Sequence, residues 1–227
     1  MTRRSSSVRT IATPVGDARV DVAAAQAPTA TLVLGHGAGG GIGAADLVAL
    51  AEALPPRGVT VVRVEQPWRV AGRKVATAPP TLDRAWLAVV EALAVAGPLV
   101  VGGRSAGARV ACRTAARLGA VGCMALSFPL HPPGRPEKSR LDELAAAGVP
   151  TVVVQGERDA FGGPGEFPTS YDVRWVPFAD HSFKVAKSAP VGPAEALDAV
   201  VEAAADWLDA LLAASPGRGN PRAGGVV

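Results

Sequence analysis

Gly103-Arg104-Ser105-Ala106-Gly107 follows the apolar run Leu99-Val100-Val101 and opens a segment whose pattern predicts a helix over 106–118. The reading is strand, sharp turn, helix, with a serine at the turn, which is the setting in which G-x-S-x-G denotes a nucleophile elbow. The two glycines fit that geometry, because a serine on a strained turn leaves no room for side chains two residues to either side. In a chain with 26 glycines the pattern arises by chance about 0.1 times, so its weight comes from what surrounds it.

Outward from the motif, apolar strands alternate with helical segments. Residues 8–12 and 17–24 read as a strand pair joined by a turn, and Thr31-Leu32-Val33-Leu34 as a strand that runs into Gly35-His36-Gly37-Ala38-Gly39-Gly40-Gly41. A helix is expected over 44–54, a strand over 59–64, a polar loop over 69–80 and a helix over 81–96 with its apolar residues at helical spacing. Beyond the serine come strands at 123–128, 151–155 and 172–176, a short helix over 137–147 and a closing helix over 194–213 with one apolar stripe. This alternation predicts an α/β fold with a mostly parallel sheet and helices on both faces, and residues 128–150 leave room for one loop and one short helix but no lid domain. Residues 1–214 are expected to form one domain with 1–7 flexible, and the Gly-, Pro- and Arg-rich residues 215–227 a disordered tail.

Composition narrows the function classes. With 48% hydrophobic and 19% charged residues the chain is neither disordered nor fibrous. The net charge of +3 comes from 23 basic against 20 acidic residues. Part of the excess lies at Arg3, Arg4, Arg9, Arg218 and Arg222, with no basic run in the body, so no nucleic-acid partner is expected. No apolar run reaches membrane-spanning length and the Arg/Ser-rich start is not followed by a signal-type apolar stretch, so the expected setting is cytoplasmic, with no membrane partner. Cys112 and Cys123 are expected to be buried free thiols, and no metal or cofactor is expected.

A serine hydroxyl needs a base to accept its proton, and the base needs a third group to hold its tautomer. The chain has 3 histidines. His181, after the last strand, is the candidate base. Asp159 is the candidate acid, with Glu157 and Asp180 as local rivals. The order Ser105, Asp159, His181 is that of α/β-hydrolases, and in a parallel sheet all three fall beyond the carboxyl ends of strands, where sites form. Backbone N–H groups of Ala106 and Ala38 are the expected oxyanion donors, with Gly39 as the alternative to Ala38. His36 is expected to fix its own loop. Gly37, Arg104 and His131 are candidates for substrate contact, Arg104 toward an anionic end, with loop-holding an equal reading for His131.

Taken together with Phe128-Pro129-Leu130-His131-Pro132-Pro133-Gly134 and Gln155-Gly156-Glu157-Arg158-Asp159, these motifs resemble the dienelactone-hydrolase-like group of the α/β-hydrolase superfamily. Within it they resemble the branch shared by small bacterial proteins, an animal testis-expressed protein and a chromatin-acetylation complex subunit. The resemblance extends over about residues 10–213 and implies the fold and a triad on Ser105, Asp159 and His181. Dienelactone hydrolases carry a cysteine nucleophile, so the serine here departs from that activity. The expected function is hydrolysis of a small acyl substrate through an acyl-enzyme, at a fairly open site; oligomeric state is not legible in the sequence. Two rivals stand beside it. One is an inactive binding module on the same fold. The other is a dinucleotide-binding domain, because Gly35 to Gly40 also satisfies G-x-G-x-x-G and Glu65 ends the next strand.

Overall fold

The computed structural model describes residues 7–214. Eight strands form one sheet: β1 (Ser7–Thr13), β2 (Gly16–Ala23), β3 (Ala30–Gly35), β4 (Val59–Glu65), β5 (Leu99–Arg104), β6 (Gly122–Leu126), β7 (Thr151–Gly156) and β8 (Asp172–Val176). Their order is β1-β2-β4-β3-β5-β6-β7-β8. The β1–β2 and β2–β4 pairs are antiparallel and every pair from β4 to β8 is parallel. Ser7, expected in the flexible lead, already pairs with Val22. The expected tail at 215–227 lies outside the described residues.

The helices are α1 (Ala45–Ala53), α2 (Pro67–Val70), α3 (Pro79–Leu93), α4 (Ala106–Thr114), α5 (Leu141–Ala145) and α6 (Pro193–Ala213). Parallel strands are covered on both faces, so alternate residues feed two cores. On β3, Val33 joins the core beneath α3 and α4, while Leu32 and Leu34 join the one beneath α1 and α6. Trp86 of α3 and Leu208 of α6, both buried, anchor the two layers.

Several boundaries differ from the sequence pattern for local reasons. Part of the expected polar loop is α2, started by Pro67 at a position that needs no N–H. Pro79 and Pro80 begin α3 for the same reason, and Ala94 ends it in the left-handed region at φ 46°. The serine helix stops at Thr114, whose hydroxyl donates back to the Val110 carbonyl. Strand β6 stops at Leu126 because Ser127 turns the chain with φ 44°. Helix α5 is the shortened form of the helix expected over 137–147. Between β6 and β7 there is thus one loop and one short helix, and no lid.

Candidate active site

Ser105 sits between β5 and α4 with φ 53° and ψ −113°, a conformation a residue with a Cβ adopts only under constraint. The constraint is visible. The Ser105 N–H donates to the Leu126 carbonyl at 2.9 Å. On either side, a Cβ on Gly103 would stand 2.6 Å, and one on Gly107 2.4 Å, from the Gly35 carbonyl oxygen. The elbow crosses so close to β3 that only glycine fits at both positions.

The structure brings the three expected residues together. His181 Nε2 lies 3.0 Å from Ser105 Oγ, and His181 Nδ1 lies 2.7 Å from Asp159 Oδ2. The Asp159 side chain is fully buried and that of His181 is 21% exposed, so the carboxylate is sealed while the imidazole reaches solvent. An acid-bound Nδ1–H leaves Nε2 as the acceptor for the serine proton, the tautomer that acyl transfer needs. Both rival acids are occupied elsewhere. Glu157 accepts the Phe178 N–H at 2.9 Å. Asp180 accepts the N–H groups of Ser182 and Lys184 at 2.7 and 2.9 Å, which shapes the histidine loop.

Three residues the sequence reading passed over stand around the site, two of them against Asp159 and His181. Gln155, buried at the end of β7, donates through Nε2 to Asp159 Oδ2 at 2.9 Å and lies 3.2 and 3.0 Å from the Phe128 and Gly162 carbonyls. The Phe161 N–H donates to Asp159 Oδ1 at 2.9 Å, and its ring stacks on His181 with centroids 4.2 Å apart. Asp46, in the first turn of α1, is buried beside Arg104. Only Gln155, next to the Gly-Glu-Arg-Asp motif, carried a positional cue; the other two carried none.

The loop after β3 supplies the candidate oxyanion donors. Ala106 occupies the first turn of α4, where N–H groups lack intrahelical partners, and among the described residues neither its N–H nor that of Ala38 donates to a protein atom. Both residues line the same narrow crevice with His36 and Gly107. Gly37 packs against the nucleophile: a Cβ there would lie 3.3 Å from Ser105 Cβ. His36 fixes the loop. Its Nδ1–H donates to the Gly37 carbonyl at 2.8 Å, and Nε2 accepts the Gln66 N–H at 3.1 Å. Burial lowers its pKa, which keeps it neutral for that double role.

Two expected substrate contacts, Arg104 and His131, are engaged with protein groups. Arg104 directs Nη2 to the His181 carbonyl and Nε to Asp46. His131 is the loop-holder: its ring nitrogens meet the Pro132 carbonyl at 2.9 Å and Glu166 Oε1 at 2.8 Å. The hydrogen bond to the Pro132 carbonyl is the main influence raising its pKa; burial opposes it, and Glu166 adds to the rise. Glu65, the ribose-binding candidate of the dinucleotide reading, is paired with Arg19, and α1 starts only at Ala45, beyond the glycine run.

A cavity of about 430 Å³ lies toward β2, lined by Asp17, Gln66, Trp68, Val70, Arg73 and Thr81 among others, without Ser105 or His181. Gln66 and Trp68 also line the crevice behind Ala38 and Ala106. Cys112 and Cys123 are buried free thiols with sulfurs 3.8 Å apart. Among the described residues no group of three or more His, Cys, Asp or Glu could hold a metal ion, and no helix is long and apolar enough to cross a membrane.

Comparison with known proteins bears on this site. A family model described as an alpha/beta hydrolase domain matches residues 28–209. No curated protein matches the chain. Among solved structures, an α/β serine hydrolase without a lid from Xanthomonas campestris shares 22% identity at TM-score 0.68, covering 91% of this chain and 97% of that one. A dienelactone hydrolase from Anabaena variabilis shares 17% at TM-score 0.70, with 92% and 99% covered. Est1E from Butyrivibrio proteoclasticus shares 16% at TM-score 0.67, with 89% and 99% covered. At these identities the likeness is one of fold, and the narrower branch with the animal proteins rests on the sequence motifs alone.

Proposed function

We propose that this chain, which belongs to the alpha/beta hydrolase domain family, is a serine hydrolase that cleaves a small carboxylic ester or related acyl substrate, with residues 1–214 as one catalytic domain. The observation that carries the reading is the chain of contacts from Ser105 Oγ to His181 Nε2 and from Nδ1 to Asp159, at 3.0 and 2.7 Å. Ser105 Oγ attacks the acyl carbon while His181 Nε2 takes its proton, and Asp159 stabilises the imidazolium so formed. The carbonyl oxygen, now an oxyanion, accepts from the N–H groups of Ala38 and Ala106. Collapse of the adduct breaks the bond to the leaving oxygen, which receives the proton from His181, and leaves an acyl group on Ser105. Water activated by the same imidazole then releases the acid and restores the serine.

The exposed edge of His181 and the short β6–β7 connection favour compact substrates that reach the serine from solvent. A fluorophosphonate probe is expected to label the protein, and Ser105→Ala to abolish labelling and hydrolysis of short nitrophenyl esters. Labelling that persists in the variant removes Ser105 from the reaction. Wild-type protein that is folded yet inert toward both probes favours a binding role on the same fold.

A further inference from the structure

Arg104 is the last residue of β5, so its side chain leaves from the strand end that carries Ser105. Its Nη2 donates to the backbone carbonyl of His181 at 2.5 Å. Its Nε lies 3.1 Å from Asp46 Oδ2, an ion pair held by charge, since neither atom has an aligned hydrogen-bond partner. The side chains are 11% and 2% exposed. Nη1 also flanks Gly37, where an added Cβ would lie 3.5 Å away. One guanidinium therefore contacts the base's main chain and the first turn of α1, and lies beside the oxyanion loop.

Burying such a pair is costly, and apolar residues of like volume often serve stability as well or better. The histidine loop supplies a reason for a cation at this point. The ring of His181 is held by Asp159 and Phe161, but among the described residues its carbonyl accepts from Arg104 alone. Neighbouring loop contacts join Asp180 to Lys184 and Phe183 to Asp180, and none crosses to the nucleophile strand. Arg104 makes that crossing.

We propose that Arg104, anchored by Asp46, is a positioning residue that fixes the His181 main chain and so holds Nε2 against Ser105 Oγ. The kinetic part of this inference rests on the hydrolase reading; the positional part does not. Burial raises the pKa of Asp46, and the neighbouring Arg104 opposes that shift.

The test is the double variant Arg104→Met/Asp46→Asn, which removes the strut without leaving a buried charge. Its kinetics are compared on a neutral and a monoanionic nitrophenyl ester. A lost positioning hydrogen bond lowers kcat about tenfold on both esters, with KM unchanged. The low-field proton signal of the His181 Nδ1–H shared with Asp159 is expected to broaden away in the double variant and to persist in Ser105→Ala. Arg104→Lys, which keeps the charge and packing, restores part of kcat and serves alone if the double variant does not fold. A rise in KM confined to the anionic ester makes Arg104 a substrate anchor and overturns the proposal, as do an unchanged kcat and an unchanged signal. If the wild type neither hydrolyses esters nor takes the fluorophosphonate label, the hydrolase reading fails while the proton signal still decides the positioning role.

Discussion

Gln155 Nε2 donates to the same Asp159 oxygen, Oδ2, that meets His181, at 2.9 Å against 2.7 Å. The acid therefore arrives at the imidazole already oriented from behind. Because Gln155 is fully buried, replacing it removes the donor without admitting a competent substitute. Gln155→Leu is expected to lower kcat about tenfold and stability by ~2 kcal/mol, since the Gly162 carbonyl also loses its partner and the Phe128 carbonyl keeps only the Leu130 N–H. Steady-state kinetics and urea unfolding of the variant check both. An unaltered kcat would mean that the Phe161 N–H orients the acid by itself.

Asp159 and Glu157, both near His181, are expected to separate by function. Asp159→Asn is expected to reduce kcat by about 10³–10⁴, because an amide there leaves the imidazole in the wrong tautomer. Glu157→Gln keeps an acceptor for the Phe178 N–H and should change kcat by no more than about twofold. Parallel loss in both variants would show that the loop, rather than the acid, is being measured.

Close approach of the elbow to β3 gives a matched pair of glycine substitutions. Gly107→Ala places a methyl 2.4 Å from the Gly35 carbonyl oxygen, so the variant should lose more than ~3 kcal/mol or fail to accumulate as soluble protein. Gly39→Ala meets nothing within 4 Å and should stay within ~0.5 kcal/mol of wild type. Thermal unfolding of the two, measured side by side, is the check.

His36 and His131 have opposite signs of pH linkage. The folded pKa of His36 is depressed below the usual 6.5, by burial. Its contribution is intact above that value and is lost as pH falls toward the folded pKa. The folded pKa of His131 is raised, first by its bond to the Pro132 carbonyl. Its contribution is full below the usual value and is lost as pH rises through the folded one. Urea midpoints between pH 5 and 8 should therefore fall less on acidification in His36→Gln and more in His131→Gln than in wild type. Identical pH slopes in all three proteins would contradict both assignments.

The sheet was legible because buried parallel strands leave an unmistakable apolar run, and β3, β5 and β7 each show one. Helix ends were less so, since α2, the Thr114 stop of α4 and the Ser127 turn depend on proline placement and on where a strand runs out of neighbours. Within the site, Ser105 stood out because a strained turn needs glycines beside it at fixed spacing. The contact of Arg104 with Asp46 was not legible, because Asp46 lies 58 positions earlier in the chain and nothing local links the two.

By itself, then, the sequence determined the α/β alternation, the elbow on Ser105 and the order serine, acid, histidine, all of which depend on residue type and short-range spacing. Only the tertiary structure decided which carboxylate faces His181, what Arg104 and His131 hold, and that Gln155 and Phe161 stand behind the acid. Those outcomes depend on strand register and on how loops from β3, β5, β7 and β8 meet at one edge of the sheet. Residues far apart in the chain become partners only once that packing sets where each side chain points.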